Sequence, residues 1–272
     1  MKVILQKDKI PTGSYLWRYV DLHKLLSFIN TKAIVFARMD KFSDDLEGIS
    51  AEQIKTDFFL NKAPDPVHDF QIPMPNPRRD DLKKIFDKEK IEKETYQKSA
   101  FVSCWYLNQR ESLAMWNLYS NKDSVALKID YHKLCSALIS EMEQQAVQFP
   151  SIKRFITGKI RYRDIINHNP VTAIFDTGLK KAKRSLEVRY RSFRKDDSYK
   201  HENEYRFCII SDGPEKESPF IISPSALLET DVHIVFHPQM DAHKKDNIRT
   251  LINRLELKYR FSDSEISGWI KY

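Results

Sequence analysis

Strand-like and helix-like segments follow one another along this 272-residue chain without the regular alternation that winds a parallel sheet. Short β-branched and aromatic runs read as strands at residues 15–20, 33–37, 101–106, 124–130, 159–163, 204–210 and 232–236. Asp21 is placed to cap a helix whose apolar positions Leu22, Leu25, Leu26 and Ile29 keep the i, i+3, i+4, i+7 spacing. Further helices are expected at 78–98, 111–119, about 132–147 and 171 to about 191. A last one starts near Asp241, with Ile248, Leu251, Ile252 and Leu255 on one face. This order predicts an α+β fold, a mixed and mainly antiparallel sheet flanked by helices. No linker or internal repeat divides the chain, so residues 1–272 are expected to form a single domain. Prolines 64, 66, 73, 75 and 77, followed by a charged helix, mark about 61–98 as an insertion.

Composition removes several function classes. With 6 glycines and neither a GxGxxG nor a GxxxxGK[ST] pattern, the chain lacks the loops of the commonest nucleotide-binding folds. Cys104, Cys135 and Cys208 are too widely spaced for a disulfide framework or metal cluster, and inert buried thiols are expected. No metal site is expected. The early charges Lys2 and Lys7 do not suit a signal sequence, and no apolar run reaches membrane-spanning length. A cytoplasmic protein without membrane contact is the expectation. The net charge of +7 is concentrated: residues 153–206 hold 15 Lys/Arg against 7 Asp/Glu. Such an excess attracts phosphates or an acidic protein, or else solvates a helix face.

Several blocks occur in a characteristic order: Leu16-Trp17-Arg18-Tyr19, Phe42-Ser43-Asp44-Asp45-Leu46-Glu47, Phe101-Val102-Ser103-Cys104-Trp105, Met115-Trp116-Asn117-Leu118-Tyr119, Glu202-Asn203-Glu204-Tyr205-Arg206 and Phe236-His237-Pro238. The ordered set resembles a widespread bacterial family catalogued as a domain of unknown function and often found near phage-defence genes. Asp45 departs from it, standing where a proline is expected. An arginine on the first strand, a serine on a middle strand and Glu-x-Glu opening a late strand are similar to the arginine–serine–glutamate type of ADP-ribosyltransferases. That likeness implies an ADP-ribosyltransferase-like fold and NAD as substrate. Glu204 would grip the ribose and Glu202 would orient or deprotonate the nucleophile. Arg18 would hold the diphosphate and Ser103 would position the ribose or Glu204. Trp105, Trp116, Tyr119 and Phe193 are candidates to stack on nicotinamide, and the 192–200 loop would contact the target. The chemistry fits the residue types, since a carboxylate stabilises the positive charge that develops when the nicotinamide–ribose bond breaks.

Simpler roles compete. Glu204 and Arg206, two apart on a strand, can pair on a solvated face. Arg18 can be a structural partner of the acidic turn, Asp44 or Glu47. That turn itself reads as solvated carboxylates, while Trp116 and Tyr119 at helical spacing suit a core. His201 can titrate beside Glu202, whereas His233 and His237 look structural. The competing function is a non-catalytic nucleic-acid-binding or sensor module using 153–206, or contact with a protein acceptor through the same segment.

Overall fold

The computed structural model describes residues 1–6, 8–44, 46–48, 79–148, 150–164, 191–212 and 219–267. Its centre is β9 (Glu204–Ser211), in which every residue is buried. An apolar strand of this kind needs neighbours on both sides. On one side lies β6 (Ile152–Lys159), on the other β4 (Ala100–Asn108), both antiparallel to it. From β6 the sheet ends at β1 (Lys2–Leu5), joined in parallel. From β4 it continues through β2 (Tyr15–Val20), β5 (Val125–Asp130), β11 (His233–Phe236) and β12 (Arg260–Asp263), the last pair parallel. Two further strands, β3 (Ile34–Arg38) and β10 (Phe220–Ile222), complete ten. A separate pair, β7 (Arg161–Arg163) and β8 (Arg194–Asp196), is parallel. The α+β expectation holds, with a mixed and mainly antiparallel sheet.

One feature of β4 positions the site. Its last residues pair with β2, Tyr15–Trp17 against Tyr106–Asn108, and its first residues pair with β3, Ala37 and Arg38 against Val102 and Phe101. Both partners therefore use the same edge of β4 and part around Ser103–Trp105. The sheet splits there.

One face carries the main core, with Leu16, Val20, Phe36, Trp105, Phe207 and Ile209 beneath α1 (Leu22–Thr31) and α4 (Tyr131–Gln148). Asp21 caps α1 as expected, accepting from the Lys24 N–H at 2.8 Å. The other face carries two separate apolar clusters. Trp17, Tyr19, Tyr106, Met115 and Trp116 form one; Met39, Val102, Ile156, Phe193 and Cys208 belong to the second. α3 (Leu113–Tyr119), capped by Ser112, walls the first cluster, and α2 (Arg79–Ser99) flanks the second through Tyr96. α5 (Ser225–Thr230) and α6 (Ala242–Arg254) complete the helices among the described residues, and none is long and apolar enough to cross a membrane.

Some elements escaped the sequence. β6 was expected only from Lys159, because Lys153 and Arg154 interrupt its apolar pattern and a register shift lies beside them. β1, β10 and β12 are short and only partly buried, so their patterns are weak. Leu22 and Leu255 were expected to face inward and are exposed instead. The helix expected at 171–191 and the Pro-rich stretch lie outside the described residues.

Candidate functional site

Between the two apolar clusters the sheet face is left uncovered, and a cleft of about 460 Å³ opens over it. That volume suits a small-molecule or cofactor site. Cys104, Tyr106, Glu204 and Arg206 contribute from β4 and β9. Tyr19, Met115 and Tyr119 come from the first cluster and α3, while Phe42, Asp44 and Glu47 come from the acidic turn. Lys195, Tyr199 and Glu202 line it from β8 and the 3-10 segment Asp197–Glu202. Arg18 and Trp105 reach it where β2 and β3 part.

Arg206 is fully buried, and its guanidinium organises the cleft. Nε and Nη2 donate to the two oxygens of Glu204, at 2.5 and 3.0 Å. Nη1 and Nη2 donate to the two oxygens of Glu47, at 2.8 and 2.5 Å, and Nη1 also reaches the Ser192 carbonyl at 2.7 Å. A guanidinium has five N–H bonds in a fixed fork. Here each has an acceptor, so the buried cation is fully paired. Lys195 joins the same network, 2.6 Å from Glu202, 3.3 Å from Glu204 and 3.8 Å from Glu47, with its ammonium over the Tyr199 ring. Three carboxylates thus meet two cations in a largely desolvated cluster.

Burial alone would push the Glu204 carboxyl up. The Arg206 guanidinium and then the Lys195 ammonium outweigh it and hold Glu204 down at about 2. Burial likewise opposes charge on Lys195, yet the carboxylates raise it above its ordinary range. A carboxyl depressed in the folded state contributes stability that is fully present above its ordinary value of 4.5 and lost as pH falls towards 2. In urea unfolding followed across that window, wild-type stability should fall with acid. Glu204→Gln should start lower and fall less steeply.

The two glutamates differ in their partners. A carboxylate offers about four acceptor positions. Glu204 accepts twice from Arg206 and has the Lys195 ammonium 3.3 Å away. Glu202 accepts from the Tyr119 hydroxyl on one oxygen and from Lys195 on the other, which leaves acceptor capacity towards the cleft. Cys104 stays protonated, because burial and then Glu204 raise its thiol pKa. A thiol kept protonated is a poor nucleophile.

Arg18 has no carboxylate partner among the described residues. Its one close hydrogen bond runs from Nη1 to Ser103 Oγ at 3.0 Å, Val35 O lies 3.5 Å away, and its carbon sits 5.6 Å from the Trp105 ring centroid. Burial pushes its pKa down. Nε and Nη2 have no hydrogen-bond partner among the described residues.

Of the expected site residues, the structure brings Arg18, Trp105, Tyr119, Glu202 and Glu204 to one cleft. Ser103 is fully buried and outside the lining; its oxygen accepts from Arg18 and from Trp105 Nε1, so it fixes those two and cannot touch a ribose. Phe193, a stacking candidate, is buried in the second apolar cluster, because the 3-10 turn Arg191–Phe193 tucks the ring against the sheet. Trp116 is core as its spacing suggested, whereas Tyr119 is half exposed. The segment expected as a target-contacting loop is ordered strand and 3-10 helix. Glu204 and Arg206 do pair, but in the interior and not on a solvated face. It is Arg206, not Arg18, that takes the acidic turn, and Glu47 is buried there; Asp45 lies outside the described residues. His201 is exposed and outside the cleft lining. Lys195, named only within the 192–200 loop, and Glu47, named only as a possible partner of Arg18, were not expected in the site. For Glu47 the signal was present, an acid at the end of an apolar-flanked turn.

The chain is thus an α+β protein with a charged cleft over one sheet face. Over residues 115–207 the chain matches the model of a family described as Protein of unknown function (DUF2971). The matched stretch carries Tyr119, Lys195, Glu202, Glu204 and Arg206 of the cleft lining, while Arg18, Glu47 and Cys104 precede it. None of the curated proteins matches the chain.

Proposed function

We propose that the cleft binds NAD and cleaves its nicotinamide–ribose bond, as an ADP-ribosyltransferase-like enzyme or NAD glycohydrolase. The observation that carries this reading is the cleft's charge layout. Arg18 offers an uncompensated guanidinium, while a cluster with three carboxylates and two cations lies among the other lining residues. NAD has the matching polarity, an anionic diphosphate and a cationic pyridinium. Arg18 takes the diphosphate, and the half-exposed Tyr119 takes one of the rings. Trp105, packed in the main core, backs Arg18 instead of stacking on the ligand.

In the reaction the C1′–N bond breaks and its electron pair leaves with nicotinamide, which becomes neutral. The positive charge passes to the ribose, where the acidic cluster stabilises it. Water or an acceptor then attacks C1′ and loses its proton to Glu202. Glu204 acts at one remove, holding Lys195 and Arg206 in place, whereas the sequence reading gave it the ribose. We take the setting to be the cytoplasm, where reduced cysteines are the norm. An enzyme of this kind would suit a defence or toxin effector that depletes NAD or modifies a target.

The binding half of the reading is tested by calorimetry. Arg18→Gln should weaken NAD roughly 10- to 100-fold, as loss of a charge-assisted pair implies. Its stability should hold or rise, because no buried carboxylate loses a partner. Equal NAD affinity for both proteins would remove the diphosphate from Arg18. The competing nucleic-acid reading loses part of its footing, since Arg191, Lys195 and Arg206 of the basic segment face carboxylates internally.

A further inference from the structure

Two sequence blocks, 115–119 and 236–238, meet on the far side of α3 from the cleft. There Trp116, Asn117, Asn121, Lys122, His237 and Gln239 help to line a second pocket of about 170 Å³. At about 30 Å³ per water, the space holds roughly five waters, enough for one phosphate group and far too little for a dinucleotide. No Asp or Glu is among its lining residues. Asp123, next along the chain, is paired with Lys244 at 2.6 Å.

His237 is fixed for donation. Its residue is 8% exposed, its ring meets Trp116 edge-on at 5.1 Å, and its backbone N–H bonds Ser124 O. Nδ1 accepts the Gln239 N–H at 3.1 Å, so the proton of the neutral ring sits on Nε2. Nε2 has no partner among the described residues, and neither has the Lys122 ammonium. The groups acting on the ring are Lys122 and Asp123; burial, then Lys122, lower the imidazole pKa and Asp123 partly offsets them.

We propose that this pocket binds a small tetrahedral oxyanion, either free phosphate or the terminal phosphate of a mononucleotide. The Nε2–H of His237 and the ammonium of Lys122 donate to it, and the side-chain amides of the lining complete its shell. The site is independent of the NAD reading. α3 is the wall between them, with Met115 and Tyr119 on the cleft side and Trp116 and Asn117 on this one.

The test is a titration of the full chain with inorganic phosphate, following the His237 ring by ¹H–¹⁵N NMR against sodium chloride at matched ionic strength. The expected result is a saturable shift specific to phosphate, with the His237 pKa rising as the anion binds. Lys122→Glu, an exposed substitution that spares the fold, should weaken binding by roughly tenfold or more. Tighter binding of adenosine monophosphate than of phosphate would identify a nucleotide phosphate as the source, and equal binding would identify the free ion. No saturable shift, the same shift with chloride, or unchanged binding in Lys122→Glu would overturn the proposal.

Discussion

Arg206→Met should unfold the protein or lower its stability by about 3–5 kcal/mol, the usual result of removing one partner from a buried ion network. The guanidinium supplies the donors for Glu47 and Glu204 and for the Ser192 carbonyl. Without it three carboxylates stay in the interior with Lys195 alone to offset them. Arg206→Lys should recover little, since one ammonium cannot span two carboxylates and a carbonyl. Urea unfolding would measure both. Replacing Arg206, Glu47 and Glu204 together with apolar residues of similar volume should restore much of the loss, because the penalty lies in uncompensated charge. Near-wild-type stability of Arg206→Met would show that the cluster is solvated, and the picture of a desolvated cleft floor would fail.

Glu202→Gln should have the opposite profile. The amide oxygen keeps the bond from Lys195, and its NH2 can donate to the Tyr119 hydroxyl oxygen in place of the lost bond. Lys195 also retains Glu204 at 3.3 Å, so the unfolding midpoint should stay close to wild type. Nicotinamide release should nonetheless fall by about 10²- to 10⁴-fold, the range for losing a general base. The contrast with Glu204→Gln is the informative part. Glu204 holds the fully buried Arg206 through both of its oxygens, so its variant should lose stability and activity together. If Glu202→Gln kept full activity while Glu204→Gln lost it without destabilisation, the roles of the two glutamates would be reversed.

Much of this site was legible in the sequence, and the parts that were not share a cause. Block order brought Arg18 upstream of Ser103, and period-two spacing was expected to put Glu202 and Glu204 on one side of a strand. The two glutamates do share the cleft, but not by strand alternation: Glu202 ends the 3-10 segment Asp197–Glu202, Asn203 is left-handed at φ 36°, and β9 starts only at Glu204. Burial was the unreadable quantity. Arg206 two residues after Glu204 suggested a surface pair, yet β9 runs through the middle of the sheet, so the pair is internal and needs Glu47 from a turn 159 positions away. Lys195 looked like one cation in a basic segment, because nothing local shows that β8 delivers it to three carboxylates. Phe193 and Ser103 failed as ligand contacts for a related reason. An aromatic ring and a small hydroxyl near a site are as well suited to pack beneath it as to line it. The fold was read more easily where strands were long and apolar, as at β4 and β9. It was read less well at the edges, where β1 and β12 are half exposed.

The central claim is that this cleft breaks the nicotinamide–ribose bond, and a time course of nicotinamide release from NAD by the purified full chain tests it most directly. The account predicts release that is abolished or nearly so in Glu202→Gln, with ADP-ribose appearing free or on an acceptor in matching amount. Wild-type protein that binds NAD but releases no nicotinamide, and transfers no label to protein or nucleic acid, would contradict it.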